Sequence, residues 1–186
     1  MEDYYVKYHT KPDIVLTHLY MMDFWKYDNP FTSALKGKRV LVVHPLSETV
    51  KSQYEKRKCL FSNPNVLPEF ELKALKAVQT VAGQRDDRFE TWFEALEYMY
   101  NKALEVDFDI AIIGCGAYGF PLAAKLKQAG KIVIHMGGVT QMLFGIKGRR
   151  WDTHPEAKKL YNEHWVRPSL EDIPPKAKEV EDSCYW

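Results

Sequence analysis

Phe108-Asp109-Ile110-Ala111-Ile112-Ile113-Gly114-Cys115-Gly116-Ala117-Tyr118-Gly119 is the stretch on which the fold turns. Phe108 to Ile113 predict a short strand, its apolar run rich in β-branched residues as in a strand buried on both faces. Gly114, Gly116 and Gly119 keep a G-x-G-x-x-G spacing, and an apolar-periodic segment from Tyr118 to Gln128, closed by Gly130, predicts a helix directly after it. A glycine turn between strand and helix suits a phosphate: the backbone can approach closely, and the helix amino terminus presents unpaired N–H groups with a partial positive charge. The same glycines also suit tight strand-to-helix packing, a purely steric purpose.

Working outward, Lys38-Arg39-Val40-Leu41-Val42-Val43-His44 predicts the first strand, and Ser47 and Glu48 stand where they could cap a helix running to Phe61 before Asn63-Pro64 ends it. Over 68–80, Phe70, Leu72 and Ala74 alternate as in a strand, although Leu72, Leu75, Ala77 and Val78 also fit a helix; we read a strand. Phe89, Trp92, Phe93, Leu96, Met99, Tyr100, Ala103 and Leu104 recur at three- and four-residue intervals, predicting an amphipathic helix with Asp86 and Asp87 as its cap. Lys131-Ile132-Val133-Ile134-His135 predicts the last strand. Such alternation implies an α/β protein: a Rossmann-like parallel sheet with helices on both faces, right-handed crossovers, and a ligand site beyond the carboxyl ends of the strands. The 186 residues suit one domain. We expect residues 1–36 to form an N-terminal arm packed on the core, with the apolar residues of 14–25 on one face of a short helix. Residues 37–151 form the domain, and 152–186 an irregular C-terminal tail wrapping it, anchored by Trp165, Tyr185 and Trp186.

Lys plus Arg (26) and Asp plus Glu (25) nearly cancel, so the long-range positive field used in sequence-independent nucleic-acid binding is missing. Cys59, Cys115 and Cys184 fit no C-x-x-C pattern, and no apolar run reaches the length of a signal core or membrane span; a reducing, cytoplasmic setting is expected. The histidines lack metal-ligand spacing, and no metal ligand is assigned. Asp107-Phe108-Asp109 precedes its strand and so lies at the end remote from the ligand rim, where we read it as structural. His135-Met136-Gly137-Gly138-Val139-Thr140-Gln141 repeats the glycine-turn design at the next strand end, with Thr140 and Gln141 placed to cap a short helix, so that two adjacent donor-rich turns could grip a diphosphate. His135 and His44 read as hydrogen-bonded rim residues rather than bases. Lys147, Arg149 and Arg150 lie among glycines and an aromatic, the makeup of a phosphate clamp or equally of a solvated loop. The expected ligand-binding residues are therefore Gly114, Gly116, Tyr118, Gly119, His135, Gly137, Gly138, Thr140, Gln141, Ser47 and Lys147; no catalytic residue is assigned. A dinucleotide cofactor would require a carboxylate at the end of the next strand, where His135-Met136 stands.

Together, Lys36-Gly-Lys-Arg-Val-Leu-Val-Val-His-Pro45, the stretch from Phe108 to Ala124, and Ile134-His-Met-Gly-Gly-Val-Thr-Gln-Met-Leu-Phe-Gly-Ile-Lys-Gly-Arg-Arg-Trp151 resemble the carboxy-terminal half of GT-D-type glycosyltransferases. They resemble more closely the related proteins of surface-polysaccharide loci. The resemblance spans about residues 31 to 151, and the terminal Ser183-Cys184-Tyr185-Trp186 is also similar in the latter group. It implies a nucleotide-sugar donor, a glycan acceptor and a divalent metal, manganese or magnesium. Enzymes of this type carry an Asp-x-Glu motif in a Gly-Asp-Gly-Glu-like string upstream; this chain has none, so no catalytic residue is carried over. Three functions stand open at this point: a glycosyltransferase-like nucleotide-sugar binder, a non-catalytic binding or scaffold domain completed by a protein partner or a second copy, and an NAD-type oxidoreductase.

Overall fold

Four short strands, β1 (Arg39–His44), β2 (Glu71–Lys76), β3 (Ile110–Ile113) and β4 (Ile132–His135), form one all-parallel sheet in the order β2-β1-β3-β4. The structure is a computed structural model that describes residues 2–11, 13–80, 83–179 and 181–186. The helices are α1 (Glu2–His9), α2 (Ser47–Glu55), α3 (Arg57–Leu60), α4 (Trp92–Leu104), α5 (Gly119–Gln128), α6 (Val139–Leu143), α7 (Arg149–Asp152) and α8 (Pro155–Lys158).

The period of two along a strand divides the apolar residues between two cores. Val40, Val42 and Ile112 face a layer that includes Val50 of α2, Met142 and Leu143 of α6, and Phe24 of the arm. Leu41, Val43, Ala111 and Ile113 face Ala95, Leu96, Met99 and Ala103 of α4 with Leu122 and Leu126 of α5. Helices thus cover both faces, as the unbroken apolar runs require, and each fully buried aliphatic side chain contributes about 1.5–3 kcal/mol. The chain passes from β1 to β2 through α2 on one face, then returns through α4 and α5 on the other to β3 and β4. Right-handed crossovers impose that change of face when the direction of winding reverses, and the reversal opens a crevice at the carboxyl ends of β1 and β3. Parallel register aligns Val43 with Ile113 and Ile113 with His135, so His44, Gly114 and Met136 emerge on one rim. The ambiguous segment is a strand: β2 lies at the sheet edge, with Glu71, Lys73 and Lys76 exposed along it, as charged side chains on an edge discourage further pairing.

Three capping expectations are corrected. Thr91, not Asp86 or Asp87, caps α4 through a reciprocal box: its Oγ1 accepts the Glu94 N–H (3.2 Å) and Glu94 accepts the Thr91 N–H (3.4 Å). Asp86 instead takes two hydrogen bonds from the Arg88 guanidinium. Ser47 is already helical in α2, where Leu46 holds the cap position without a side-chain bond, and Glu48 pairs with Lys51 at 2.8 Å. Thr140 and Gln141 lie inside α6, which begins after Gly138, and cannot cap it. A cap must precede the first turn, and each helix starts a few residues away from where its polar residues suggested.

The helix expected within 14–25 is absent; the segment forms two 3-10 turns, Leu19–Met22 and Phe24–Lys26. His18 accepts the Tyr20 N–H at the start of the first (3.2 Å), and of these apolar residues Phe24 is buried while Val15 and Leu19 are 88% and 80% exposed. A short helix draws its stability from packing one face, and here that face meets no core. Residues 1 and 12 of the arm lie outside the described residues. At the end remote from the rim, Asp109 receives the Arg39 backbone N–H (2.8 Å) and guanidinium (2.6 Å), and Asp107 also pairs with Arg39, so the D-x-D string ties down the start of β1. The tail returns across the domain: Trp165 is buried with its Nε1 donating to the Leu60 carbonyl (3.0 Å), and Trp186 Nε1 donates to that of Asp172 (3.1 Å).

Candidate functional site

The rim residues enclose a cleft of about 700 Å³, a volume suited to a ligand of nucleotide size. Its floor is His44 at the end of β1, Gly114 to Tyr118 after β3, and His135 at the end of β4 with Gly137 and Gly138 after it; Val78, Gln79 and Thr80 follow β2. Trp92, the first residue of α4, forms one wall, and Gln141, Tyr185 and Trp186 form another.

The glycines sort into two kinds. Gly116 and Gly137 both have φ of +57°, a left-handed conformation that other residues adopt at a cost, and a Cβ at either would meet nothing within 4 Å. These two turns are open to the cleft. Gly114 is bare for a steric reason: a Cβ there would press into Thr140 Oγ1 and lie 2.8 Å from the Gly137 carbonyl oxygen. At Gly119 the missing Cβ leaves room for the His135 ring, whose Nε2 would lie 2.6 Å away, and at Gly138 for the Tyr185 ring, 2.9 Å away. A Cβ would find open space only at Gly116 and Gly137; Gly114 and Gly138 also line the cleft but lack a Cβ for steric reasons, as does Gly119, which is absent from its described lining. Among the described residues, the N–H groups of Gly116, Ala117, Gly138 and Val139 have no backbone acceptor, as is usual at the start of a helical turn.

Tyr118 is held firmly. Its ring stacks on Trp92 with centroids 4.7 Å apart and planes 5° from parallel, and its hydroxyl shares a 2.9 Å hydrogen bond with Thr80 Oγ1. His44 is buried and accepts the Leu46 N–H at Nδ1 (3.0 Å), which leaves its proton on Nε2; burial pushes its pKa down to about 4, so it is a neutral donor at physiological pH. His135, exposed at the rim, is also held below the ordinary histidine value by partial desolvation. Burial pushes the Cys115 thiol up to about 12, which keeps it protonated and unreactive.

Ser47, Gly119, Thr140 and Lys147 are absent from the described lining of the cleft. Ser47 and Thr140 are buried within helices, and the Lys147 ammonium sits 5.3 Å from the centre of the Tyr161 ring. The other two cations of the basic loop grip the tail: Arg149 donates to the Asp182 carbonyl and Arg150 to the Tyr185 hydroxyl, both at 3.0 Å. Gln141 Nε2 donates to the Tyr185 carbonyl (2.9 Å), while Gln141 Oε1 and Thr140 Oγ1 are buried without a partner among the described residues. The expected binding residues did not include Trp92, Tyr185 or Trp186, which also line the cleft. Trp92 was within reach, because a crossover helix runs antiparallel to its strands and α4 must begin at the ligand rim. Nothing in the sequence places Tyr185 against Gly138.

The family model of the GT-D fold-like domain matches residues 1–143. The chain belongs to that family. In this GT-D-like chain the match begins upstream of residue 31, where the resemblance was read, and takes in the whole sheet and α6 but neither the basic loop nor the tail. Neither a curated protein nor a solved structure matches it. Manganese or magnesium, implied by the resemblance, prefers carboxylate and other oxygen ligands. No Asp or Glu lines the cleft among the described residues, and no group of three or more His, Cys, Asp or Glu in them could hold a metal ion. The residues present do not fit such a site in this GT-D-like cleft. Among the described residues no helix is long and apolar enough to cross a membrane.

Proposed function

We propose that this GT-D-like chain binds a nucleotide-sugar donor in the cytoplasm and directs its sugar to a glycan acceptor, as in surface-polysaccharide biosynthesis. The observation that carries this is the pair of open glycine turns, Gly116 and Gly137, side by side at the ends of β3 and β4 and both facing the cleft. Backbone N–H groups of the two turns, with the positive end of α5 behind the first, would hold the diphosphate without a metal ion. His44 would add a neutral Nε2–H donor to the same floor. An NAD-type cofactor is disfavoured because His135 and Met136 stand at the end of β4, and no carboxylate lines the cleft to hold a ribose among the described residues.

The missing carboxylate also favours a second possibility, a domain that binds the donor but needs a partner chain to complete the chemistry. Saturation-transfer NMR with uridine, guanosine and thymidine sugar diphosphates, with and without manganese, tests binding. We expect at least one to bind the wild type and not a folded Gly116→Val variant. Absence of binding for the whole panel would refute the proposal. Sugar release or transfer by the purified chain alone would exclude the partner-dependent form.

A further inference from the structure

A second cavity of about 360 Å³ adjoins the cleft and shares Thr80 and Trp92 with it. Where the main floor is glycine and histidine, this cavity is lined by the polar and charged residues Gln84, Arg85, Asp86 and Glu90, with the Asp86 carboxylate already engaged by Arg88. Trp92 lines both spaces, its ring is backed by Tyr118, and Tyr118 is itself fixed by its hydrogen bond to Thr80. A flat π surface beside a pocket of mixed donors and acceptors matches a nucleobase, which presents a π face for stacking and a polar edge for hydrogen bonding. The opposite wall is unsuited to this: the Tyr185 ring is seated against Gly138 and its hydroxyl engages Arg150, while Trp186 Nε1 is committed to Asp172.

We infer that Trp92 is the platform of a nucleobase subsite, with the base stacked on the indole and its polar edge turned toward Gln84, Arg85 and Glu90. This rests on the nucleotide-sugar proposal and deepens it by orienting the ligand: base at α4, diphosphate at the turns after β3 and β4. It also makes Gln84, Arg85 and Glu90 the determinants of which base is accepted.

Calorimetric titration of the wild type, Trp92→Leu and Trp92→Phe with UDP, GDP and dTDP, with the matching sugar nucleotides, and with inorganic pyrophosphate provides the test. Loss of base stacking should weaken nucleoside diphosphate binding about 5- to 150-fold in Trp92→Leu. Pyrophosphate binding should be unchanged, and Trp92→Phe should keep most of the affinity because a π face remains. If Trp92→Leu binds nucleoside diphosphates as the wild type does, or loses affinity only for the sugar-bearing ligands, the base does not sit on Trp92 and the subsite is overturned while nucleotide binding stands. If the wild type binds no nucleoside diphosphate, both fail together. Should Trp92→Leu not fold, transferred NOEs in the wild type decide instead. Base protons must show contacts to the one indole whose signals vanish in Trp92→Phe, and contacts only to other side chains overturn the assignment.

Discussion

Gly114→Ala should damage the fold at the rim, and the structure says by how much. The new methyl carbon would lie 2.7 Å from Thr140 Cβ and 2.8 Å from the Gly137 carbonyl oxygen, and would press harder still on Thr140 Oγ1. Ordinary carbon contacts fall at about 3.5–4.0 Å, so each separation is short by nearly 1 Å. Thr140 cannot relieve this by changing rotamer, because rotation about χ1 leaves Cβ in place, and the residue is fully buried in α6. The Gly137 oxygen belongs to the backbone of a turn bonded to β3 through the Ile113 carbonyl. Relief therefore requires α6 to move off the end of β3, and overpacking of that kind costs about 1–3 kcal/mol. For a chain of this size that lowers Tm by about 2–12 °C. Calorimetry and urea unfolding read the loss directly. Thr140→Ala removes the nearest atom, so Gly114→Ala should cost less in that background, with a coupling of about 0.5–3 kcal/mol. Gly116→Ala, which strains a left-handed backbone but meets no neighbour, should show no such coupling. A Gly114→Ala protein that melts with the wild type, or an equal cost in both backgrounds, would refute the steric account.

Because the folded pKa of His44, about 4, lies below the 6.5 of the unfolded chain, the unfolded state takes up the extra proton between these values. Its contribution, up to roughly 3 kcal/mol, should be present above pH 6.5 and lost as pH falls toward 4; a His44→Gln variant whose urea midpoint follows the wild-type pH profile in that window would contradict this. Iodoacetamide at pH 8 should label exposed Cys59 well before Cys115, whose thiol is buried and protonated, and equal labelling rates by mass spectrometry would show the β3 turn to be open. Gly138→Ala should push the Tyr185 ring out of its seat and raise hydrogen exchange over 182–186 while leaving the sheet protected; unchanged exchange there would mean the tail is not held by that contact. Asp109→Asn should leave ligand affinity intact, since Arg39 and Asp109 pair at the far end of the sheet, and a loss of affinity measured by calorimetry would place the binding site wrongly.

The sequence alone determined the strands, the main crossover helices and the class of fold. Lys38 to His44 and Phe108 to Ile113 read as strands, and the three- and four-residue spacing from Phe89 to Leu104 read as a helix, because burial periodicity is a local property of the chain. From the alternation of those elements followed the parallel sheet and the rim on which His44, Gly114 and His135 meet, since crossover handedness leaves little choice. The choice of open glycines was left to the tertiary structure. Gly116 and Gly114 look alike in the sequence, but one faces empty space and the other Thr140; Gly137 and Gly138 are neighbours, but Tyr185 covers only the second. The stacking of Trp92 on Tyr118, and the tail carried across to Gln141 from 44 positions away, depend on the order of the strands and on which surfaces remain for the tail to cover. Such contacts join residues distant in the chain, and their geometry is fixed by packing rather than by any local preference, so no pattern in the sequence encodes them by itself.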